Sequence, residues 1–375
     1  MILSKESKTE CHKKLLVSKQ LKVLMLPDCR AANPYQFLLA DALEKNEVEV
    51  SFFNGYRRVF PLLRTMMNRQ QNFDVIHLHW ILPFVKGKSW YLKAIYAVKF
   101  LFELIVLKWI GIRIVWTVHN RVTHDTKFPQ LELWTRRHLA KLADRIILHN
   151  HLTSQDLVDQ YQFQATKAIV IPHGHYRQVY RSPINSIQAR QELNLPLRGN
   201  IYLHLGLIRP YKGIENLLQV WRDNAHIFQD STLVIAGQAS PDYRQKLNEL
   251  ISRSNNIIFI PQFIKNERIH LYFSAATAVV FPYVALLNSG SLILAMSYGK
   301  PIIAPRVGSI PEVLGKADAL LYELEDRQGL LKTMKTANYI DLEKLSQQVT
   351  QACDSLDWNS IANQTTKVYQ AVISK

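Results

Sequence analysis

The chain has 375 residues, of which 48% are hydrophobic, and a formal net charge of +16. This length favours two domains that each bury a core. Three scattered cysteines, Cys11, Cys29 and Cys353, fit neither a disulfide framework nor a CxxC metal site, which indicates a reducing compartment. The first twenty residues lack a continuous apolar core, so we expect no secretory signal there.

Positive charge is concentrated in the first half. Residues 1–180 hold 26 Lys or Arg against 14 Asp or Glu, and residues 51–100 hold eight basic residues against one acid, Asp74. Such a surface suits nucleic acid or anionic lipid. We expect no nucleic-acid partner, because the aromatic and basic repeats of a recognition module are missing.

In the first half, short apolar runs alternate with helical spacing. They predict strands over residues 21–26, 48–53, 75–78, 112–118, 145–149 and 169–172. The alternation is typical of a parallel sheet with helices on both faces, where function lies beyond the carboxyl ends of the strands. His79, and His119 with Asn120, occupy such places. For His79 a purely structural role at a strand end is an equally good interpretation.

The loop after the first strand ends in Asn33 and Pro34, before a helical pattern over residues 37–43. Asn33 has two interpretations. It adopts unusual backbone angles in place of a glycine beside a ligand, or it is the N-cap of the helix, with Pro34 at the first helical position.

Residues 56–67 and 90–109 mix basic with large apolar side chains. The second stretch is nearly long enough to span a bilayer, but charges at mid-helix are costly in hydrocarbon. Four charged residues interrupt it: Lys93, Lys99, Glu103 and Lys108. They fall within about half of the helix circumference, so we expect an interfacial helix that docks on anionic headgroups. An ordinary core helix with one wet face is the alternative.

Polar residues over 180–200 indicate a connection to a second domain. Strands are predicted there over residues 201–205, 232–235, 257–260, 278–281 and 301–304. The turn Gly206–Gly213 and the segment Phe281–Leu292 each lead from a strand to a helix start, where free N–H groups and the helix dipole suit phosphate. Arg209 and Lys212 in the first turn add the cations that a diphosphate leaving group needs.

The order of several motifs resembles the family 4 glycosyltransferases, in particular their bacterial polysaccharide-assembly branch. The donor-half motifs are Leu205–Leu218, Leu233–Gly237 and Asn288–Glu312. The first-half motifs are Asn33–Gln36, Asp74–Trp80 and Trp116–Asn120. The resemblance implies a GT-B fold, in which two Rossmann-like, doubly wound parallel-sheet domains face an interdomain cleft. It also implies retaining transfer from a UDP- or GDP-linked sugar.

The resemblance assigns the acceptor to residues 1–180 and the donor to residues 181–357, with a helix in 358–375 that crosses back to the first domain. His119 is expected at the transferred sugar, and Arg209 and Lys212 at the leaving diphosphate. The other expected donor-binding residues are Gly206, Phe263, Ile264, Asn288, Ser289, Gly290, Ser291, Leu292 and Glu312. The expected acceptor-side residues are Asn33, Tyr35, His79, Asn120 and His173.

Two departures from the family pattern leave the donor sugar open. Family members place acidic residues before the second turn and on its helix, where this chain has Leu286 and Leu294. The arginine usual after the first glycine is replaced by Leu207, and Arg209 follows two residues later. Glu312 fits equally well as a carboxylate at a helix N-terminus.

These observations predict a metal-independent glycosyltransferase, since no Asp-x-Asp pair ends a strand and no His or Cys set has ligand spacing. The absence of Gly-x-Gly-x-x-Gly argues against a nicotinamide cofactor, so we expect a nucleotide sugar as substrate and no cofactor. The expected acceptor is a lipid-linked glycan, and the expected location is cytoplasmic, peripheral to the inner face of the plasma membrane. A nucleotide-sugar epimerase of the same architecture and a catalytically silent membrane scaffold are the alternatives.

Overall fold

The computed structural model describes residues 20–31, 33–53, 60–67, 72–121, 127–252, 254 and 256–374. Cys11 and part of the basic stretch at 56–67 lie outside the described residues. The described chain forms two six-stranded sheets.

All strands of the first sheet are parallel, in the order β2-β1-β3-β4-β5-β6. They are β1 Leu21–Leu26, β2 Val48–Phe52, β3 Val75–Leu78, β4 Arg113–Thr117, β5 Arg145–Leu148 and β6 Ala168–Val170. Along β1, Val23 and Met25 belong to one hydrophobic cluster, whereas Leu24 and Leu26 belong to another on the opposite face. Both faces are buried, which explains why the strands are continuous apolar runs.

The second sheet is also parallel, in the order β9-β8-β7-β10-β11-β12, which is the Rossmann order. Its strands are β7 Asn200–Leu205, β8 Ser231–Ala236, β9 Ile257–Ile260, β10 Ala278–Val280, β11 Ile302–Pro305 and β12 Leu321–Tyr322. The sequence did not predict β12, which has only two residues.

Helices cover both sheets. In the first half they are α1 Tyr35–Glu44, α2 Pro61–Met67, α3 Trp90–Trp109, α4 Pro129–Leu142 and α5 Ser154–Tyr161. They continue with α6 Ser186–Glu192, α7 Ile214–Asp223, α8 Pro241–Ile251, α9 Asn266–Ala275, α10 Gly290–Ser297, α11 Ile310–Leu314, α12 Gly329–Thr336, α13 Leu342–Asp354 and α14 Trp358–Ile373. The predicted α/β architecture with two doubly wound parallel sheets is confirmed.

The last helix, α14, contacts the first sheet. The Tyr369 hydroxyl lies 2.6 Å from His77 Nδ1 on β3, and the Trp358 indole N–H donates to the carbonyl of His175 at 2.6 Å. A side chain at Gly174 would collide with the Trp358 ring, whose nearest atom is 2.3 Å from an ideal Cβ. The chain therefore returns to its first half after building the second sheet.

Helix α3 has the predicted bounds, but most of its charged side chains are held within the protein. Lys93 and Glu103 are only 6% and 1% exposed. The recorded partners are Glu132 for Lys93 (3.8 Å), the Leu62 N–H for Glu103 (2.8 Å) and Asp144 for Lys108 (2.8 Å). The charges do share one side of the helix, but it is the buried side.

The outer side of α3 is apolar. Its residues are between 40% and 81% exposed: Trp90, Tyr91, Leu92, Ile95, Val98, Phe102 and Trp109. We call this set the α3 apolar face. The buried side of α3 is also mainly apolar, with Ala97, Phe100, Leu101, Leu104 and Leu107 in the core. An ordinary surface helix has a polar outer side, so the apolar outer side is what sets α3 apart. No helix within the described ranges has the length and apolar character to cross a bilayer.

The structure decides between the two interpretations of Asn33. Its φ is not positive, so a glycine-like backbone is wrong. The Asn33 Oδ1 accepts from the Tyr35 N–H at 3.0 Å, and Pro34 already has helical dihedrals and accepts from the Leu38 N–H at 2.9 Å. Asn33 therefore caps α1, with Pro34 at the first helical position.

Candidate active site

The carboxyl edges of the two sheets meet at one cleft. In an open parallel sheet a ligand crevice forms at that edge where the strand order reverses, here between β1 and β3 and between β7 and β10. Hydrogen bonds join the loops beyond these edges. The Asn288 amide donates to the carbonyl of His119 at 3.3 Å, and the Asn150 amide donates to Asn288 Oδ1 at 3.3 Å.

Two glycines shape the turn after β7. Gly206 has φ +142°, and a Cβ there would lie 2.8 Å from Ser291 Oγ. Gly213 has φ +71°, and its Cβ would lie 1.8 Å from the carbonyl oxygen of Pro282. Both conformations favour glycine. The two predicted phosphate turns are therefore in direct contact, and any larger residue would separate them.

Lys212 lies at the end of this turn and is only 7% exposed. Its Nζ is 3.2 Å from the hydroxyl of Tyr283 and 4.6 Å from the centre of that ring. Among the described residues no carboxylate forms a salt bridge with it. Burial lowers its pKa, because a desolvated ammonium without a counter-ion is unfavourable. The same ammonium helps burial to lower the pKa of His204 to about 3.

Helix α10 begins directly beside Lys212. The Ser289 hydroxyl accepts from the Leu292 N–H at 3.1 Å and contacts the Tyr283 hydroxyl at 2.9 Å. The first N–H groups of the helix, at Gly290 and Ser291, have no acceptor within the helix. The positive end of the helix dipole thus adds to the ammonium at one point.

The remaining donor-side residues lie around this point. Arg209 is half-buried, and its guanidinium donates to the carbonyl of Ile208 at 3.2 Å. Leu207 is 49% exposed. Phe263, beyond β9, is 66% exposed, and Ile264 beside it is half-buried.

On the opposite side of the cleft, four adjacent strands are each followed within three residues by a buried histidine. They are His79 after β3, His119 after β4, His149 after β5 and His173 after β6. Three of the rings form a hydrogen-bonded row. His79 Nδ1 is 3.1 Å from His119 Nε2, and His119 Nδ1 is 3.3 Å from His149 Nε2. We call these three the imidazole row.

Burial fixes the protonation of this row. It lowers the pKa of His149 to about 4 and holds the pKa values of His79 and His119 well below 6.5, so the rings are neutral at pH 7. His149 Nδ1 is 3.0 Å from the carbonyl of Ile171, and a carbonyl only accepts. Each ring must then donate from Nδ1 and accept at Nε2. His79 Nε2 is left as a buried acceptor that has no partner among the described residues.

Tyr35 packs against the imidazole row. Its ring lies 4.8 Å from His119 and 4.7 Å from His173, centre to centre, while Trp80 stacks on His119 at 4.4 Å. Both ring nitrogens of His119 are engaged by other histidines, so the group it presents across the cleft is its carbonyl. Asn120 is half-buried, and its carbonyl accepts from Arg136 at 3.0 Å.

Glu312 does not lie at the phosphate turns. Its carboxylate accepts from the N–H groups of His151 (2.8 Å) and Leu152 (3.0 Å), which precede α5 on the first sheet. The Glu312 carboxylate therefore links the second domain to the first by hydrogen bonds.

Sequence reasoning missed two residues of this site. His149 completes the imidazole row, and Tyr283 holds Lys212. A signal for His149 was present, since it is the last residue of the strand predicted over 145–149 and so stands at a carboxyl end. Nothing in the sequence marks Tyr283, whose partners come together only when the two turns meet.

Two doubly wound domains that meet at a cleft are the architecture of the GT-B fold. Residues 29–175 match the model described as Glycosyltransferase Family 4, and residues 199–337 match Glycosyl transferases group 1. The chain belongs to these glycosyltransferases, as its resemblance predicted. It is 30% identical over 311 residues to the GDP-mannose:glycolipid 4-beta-D-mannosyltransferase of Xanthomonas campestris pv. campestris, covering 80% of this chain and 79% of that relative.

Solved structures share the fold. Sucrose-phosphate synthase from Thermosynechococcus elongatus superposes with a TM-score of 0.72 at 17% identity, over 95% of this chain and 100% of that one. Anabaena HepE in complex with UDP-glucose superposes with a TM-score of 0.69 at 17% identity, over 94% and 100%. These likenesses confirm the predicted GT-B fold.

Proposed function

We propose that this protein transfers a hexosyl group from a UDP- or GDP-linked sugar to a lipid-linked glycan during polysaccharide assembly. The name of the Xanthomonas relative specifies GDP-mannose as donor and a glycolipid as acceptor, and HepE was solved with UDP-glucose. Both support a nucleotide-sugar donor.

The observation that carries the proposal is the environment of Lys212. A buried ammonium without a carboxylate costs free energy in the empty protein, and here it lies beside a helix N-terminus and two glycines that permit close approach. A diphosphate supplies the missing negative charge. The site therefore suits the leaving group of a nucleotide sugar.

The reaction follows from this placement. Closure of the cleft through Asn288 and Glu312 excludes water that would hydrolyse the donor. As the bond between the anomeric carbon and the diphosphate oxygen breaks, Lys212 and Arg209 stabilise the charge that grows on that oxygen. The acceptor hydroxyl attacks the anomeric carbon, and its proton passes to the departing diphosphate. Because side-chain cations supply the positive charge, we expect turnover to persist in EDTA.

The stereochemical course is tested by the product. We propose retention, which the family 4 resemblance implies. The name of the Xanthomonas relative specifies a β-mannosyl product, and an α-linked nucleotide hexose gives a β product only by inversion. The one-bond carbon–proton coupling constant at the anomeric carbon of the product decides between the two, for a mannosyl as for a glucosyl product. A β-linked product from an α-linked donor would contradict the proposed retention and show that the reaction inverts the anomeric configuration.

We further propose that the α3 apolar face docks on an anionic lipid surface, where a lipid-linked acceptor is found. Trp and Tyr side chains favour the interface between headgroups and acyl chains. The exposed charges nearby in sequence are basic, at Arg64, Lys86 and Lys88, which complements anionic headgroups. Bilayer docking explains why α3 turns its charges inward.

Vesicle flotation tests the docking. The variant Ile95→Gln/Phe102→Gln should lose binding to phosphatidylglycerol vesicles, and pure phosphatidylcholine should bind wild type weakly. Tyr339→Gln is the matched control, because Tyr339 is 88% exposed on the second domain. Equal flotation of the wild type and the double variant would contradict docking through α3. So would a wild-type protein that binds no vesicles but forms a dimer that the double substitution disrupts.

The transfer itself is tested by a thermal-shift screen with UDP, GDP and ADP, followed by incubation of the matching sugar nucleotides with bacterial glycolipid. Stabilisation by one diphosphate and donor-dependent labelling of the glycolipid support transfer. Conversion of the donor sugar without acceptor indicates the epimerase instead. A failure of every nucleotide to bind indicates the scaffold.

A further inference from the structure

Tyr283 is a fully buried tyrosine in the loop after β10, and its hydroxyl joins Lys212 to the start of α10. The Lys212 ammonium is 3.2 Å from this oxygen, which is 2.9 Å from Ser289 Oγ. The Ser289 hydroxyl also accepts from the Leu292 N–H at 3.1 Å, so it is fixed at the first turn of the helix. Burial raises the pKa of Tyr283, so the phenol is neutral and keeps its proton.

The hydrogen bonds of this cluster leave a proton unused. Lys212 can only donate, so the Tyr283 oxygen accepts from it. The hydroxyls of Tyr283 and Ser289 share one contact, which uses one of their two protons. Within the described contacts the other proton is left over, together with two N–H groups of the ammonium. An anion with several acceptor oxygens would take all of them.

Packing alone does not explain a tyrosine at this position. Phe281 stacks against it, with ring centres 5.3 Å apart, and fills the same layer without a hydroxyl. Burying a hydroxyl is unfavourable unless its hydrogen bonds are used. The Tyr283 hydroxyl holds the Lys212 ammonium at the N-terminus of α10. Without it the flexible lysine side chain would adopt several rotamers.

We propose that Tyr283 is a positioning residue of the diphosphate site: it orients Lys212 and, with Ser289, donates a hydroxyl hydrogen bond to a phosphate oxygen. This inference rests on the proposed function of the cleft. It extends that function to a residue that carries no charge.

The test is Tyr283→Phe, which keeps the ring and removes only the oxygen. We expect UDP or GDP, whichever binds wild type, to bind about ten- to hundredfold more weakly in calorimetry, the range for a hydrogen bond to a charged group. The nucleoside without phosphates should bind both proteins equally, a readout that a general loss of structure would not give. Tyr202→Phe is the matched control, because Tyr202 is buried on β7 and its hydroxyl contacts Asn338, not the cleft.

A double-mutant cycle with Lys212→Met separates this inference from the proposed function. If Tyr283 acts through Lys212, Tyr283→Phe should cost little affinity in a protein that already carries Lys212→Met. Wild-type affinity in Tyr283→Phe alongside lost affinity in Lys212→Met would overturn the role of Tyr283 and leave the transferase proposal standing. Unchanged affinity in both would overturn both. Should Tyr283→Phe fail to fold, Ser289→Ala tests the same hydroxyl cluster, and unchanged diphosphate affinity there would also contradict the proposal.

Discussion

Replacing Lys212 with methionine should stabilise the empty protein and abolish its activity. Methionine has a similar shape and no charge, so the substitution removes a buried cation that has no carboxylate partner among the described residues. Exchanging buried charge for apolar side chain is often stabilising by about 1 kcal/mol or more, which raises the melting temperature by about 2 °C or more in a chain of this size.

The loss of activity follows from the same charge. Two unit charges about 4 Å apart attract by about 4 kcal/mol at an effective dielectric constant of 20. That corresponds to about a thousandfold in kcat if the contact strengthens as the diphosphate departs. The assay is nucleotide release under saturating donor, with differential scanning fluorimetry of each protein with and without nucleotide. A variant that melts below wild type when empty, yet still gains stability from the diphosphate, would refute this reasoning.

Three further predictions concern the cleft. In ¹⁵N NMR, His79, His119 and His149 should all be the Nδ1–H tautomer. An Nε2–H signal from any of them would contradict the hydrogen-bond directions assigned to the imidazole row. Burial lowers the pKa of His77 to about 3 and of His149 to about 4, against 6.5 unfolded. The unfolded chain then binds protons first, so stability is complete above pH 6.5 and falls below it by about 1.4 kcal/mol per group per pH unit. Urea unfolding at pH 7.5 and 5.0 measures this, and His149→Gln should flatten the dependence. Glu312→Ala should open the unliganded cleft and enlarge the radius of gyration in X-ray scattering. Glu323→Ala should not, because the recorded partner of Glu323 is Arg306 of the same domain. Equal radii for Glu312→Ala and wild type would contradict the link that Glu312 makes between the domains.

The sequence predicted the fold well, because long apolar runs determine where strands form. It failed for β12, whose two residues are too few to show a pattern. The bounds of α3 were right, since length and periodicity are local properties. Its outward side was not predictable, because the partners of its charges, Glu132 and Asp144, come from elsewhere in the chain.

In the site, as in the fold, the sequence predicted features that depend on neighbouring residues and missed those that depend on distant ones. Lys212 and Ser289 were found because glycines and a helix start mark a phosphate turn locally. Tyr283 was missed, since its role depends on contact between two turns about seventy residues apart. Glu312 was expected at the donor, yet in this closed arrangement its carboxylate contacts the first sheet.

The return of α14 to the first sheet has a consequence for synthesis. His77 and Tyr369 are separated by 292 positions, so the hydrogen bond of His77 to this tyrosine forms only after the final helix has left the ribosome. Until then the surface of α1 that α14 covers stays open to water. The packing of the first domain is therefore completed only after the second domain has been synthesised.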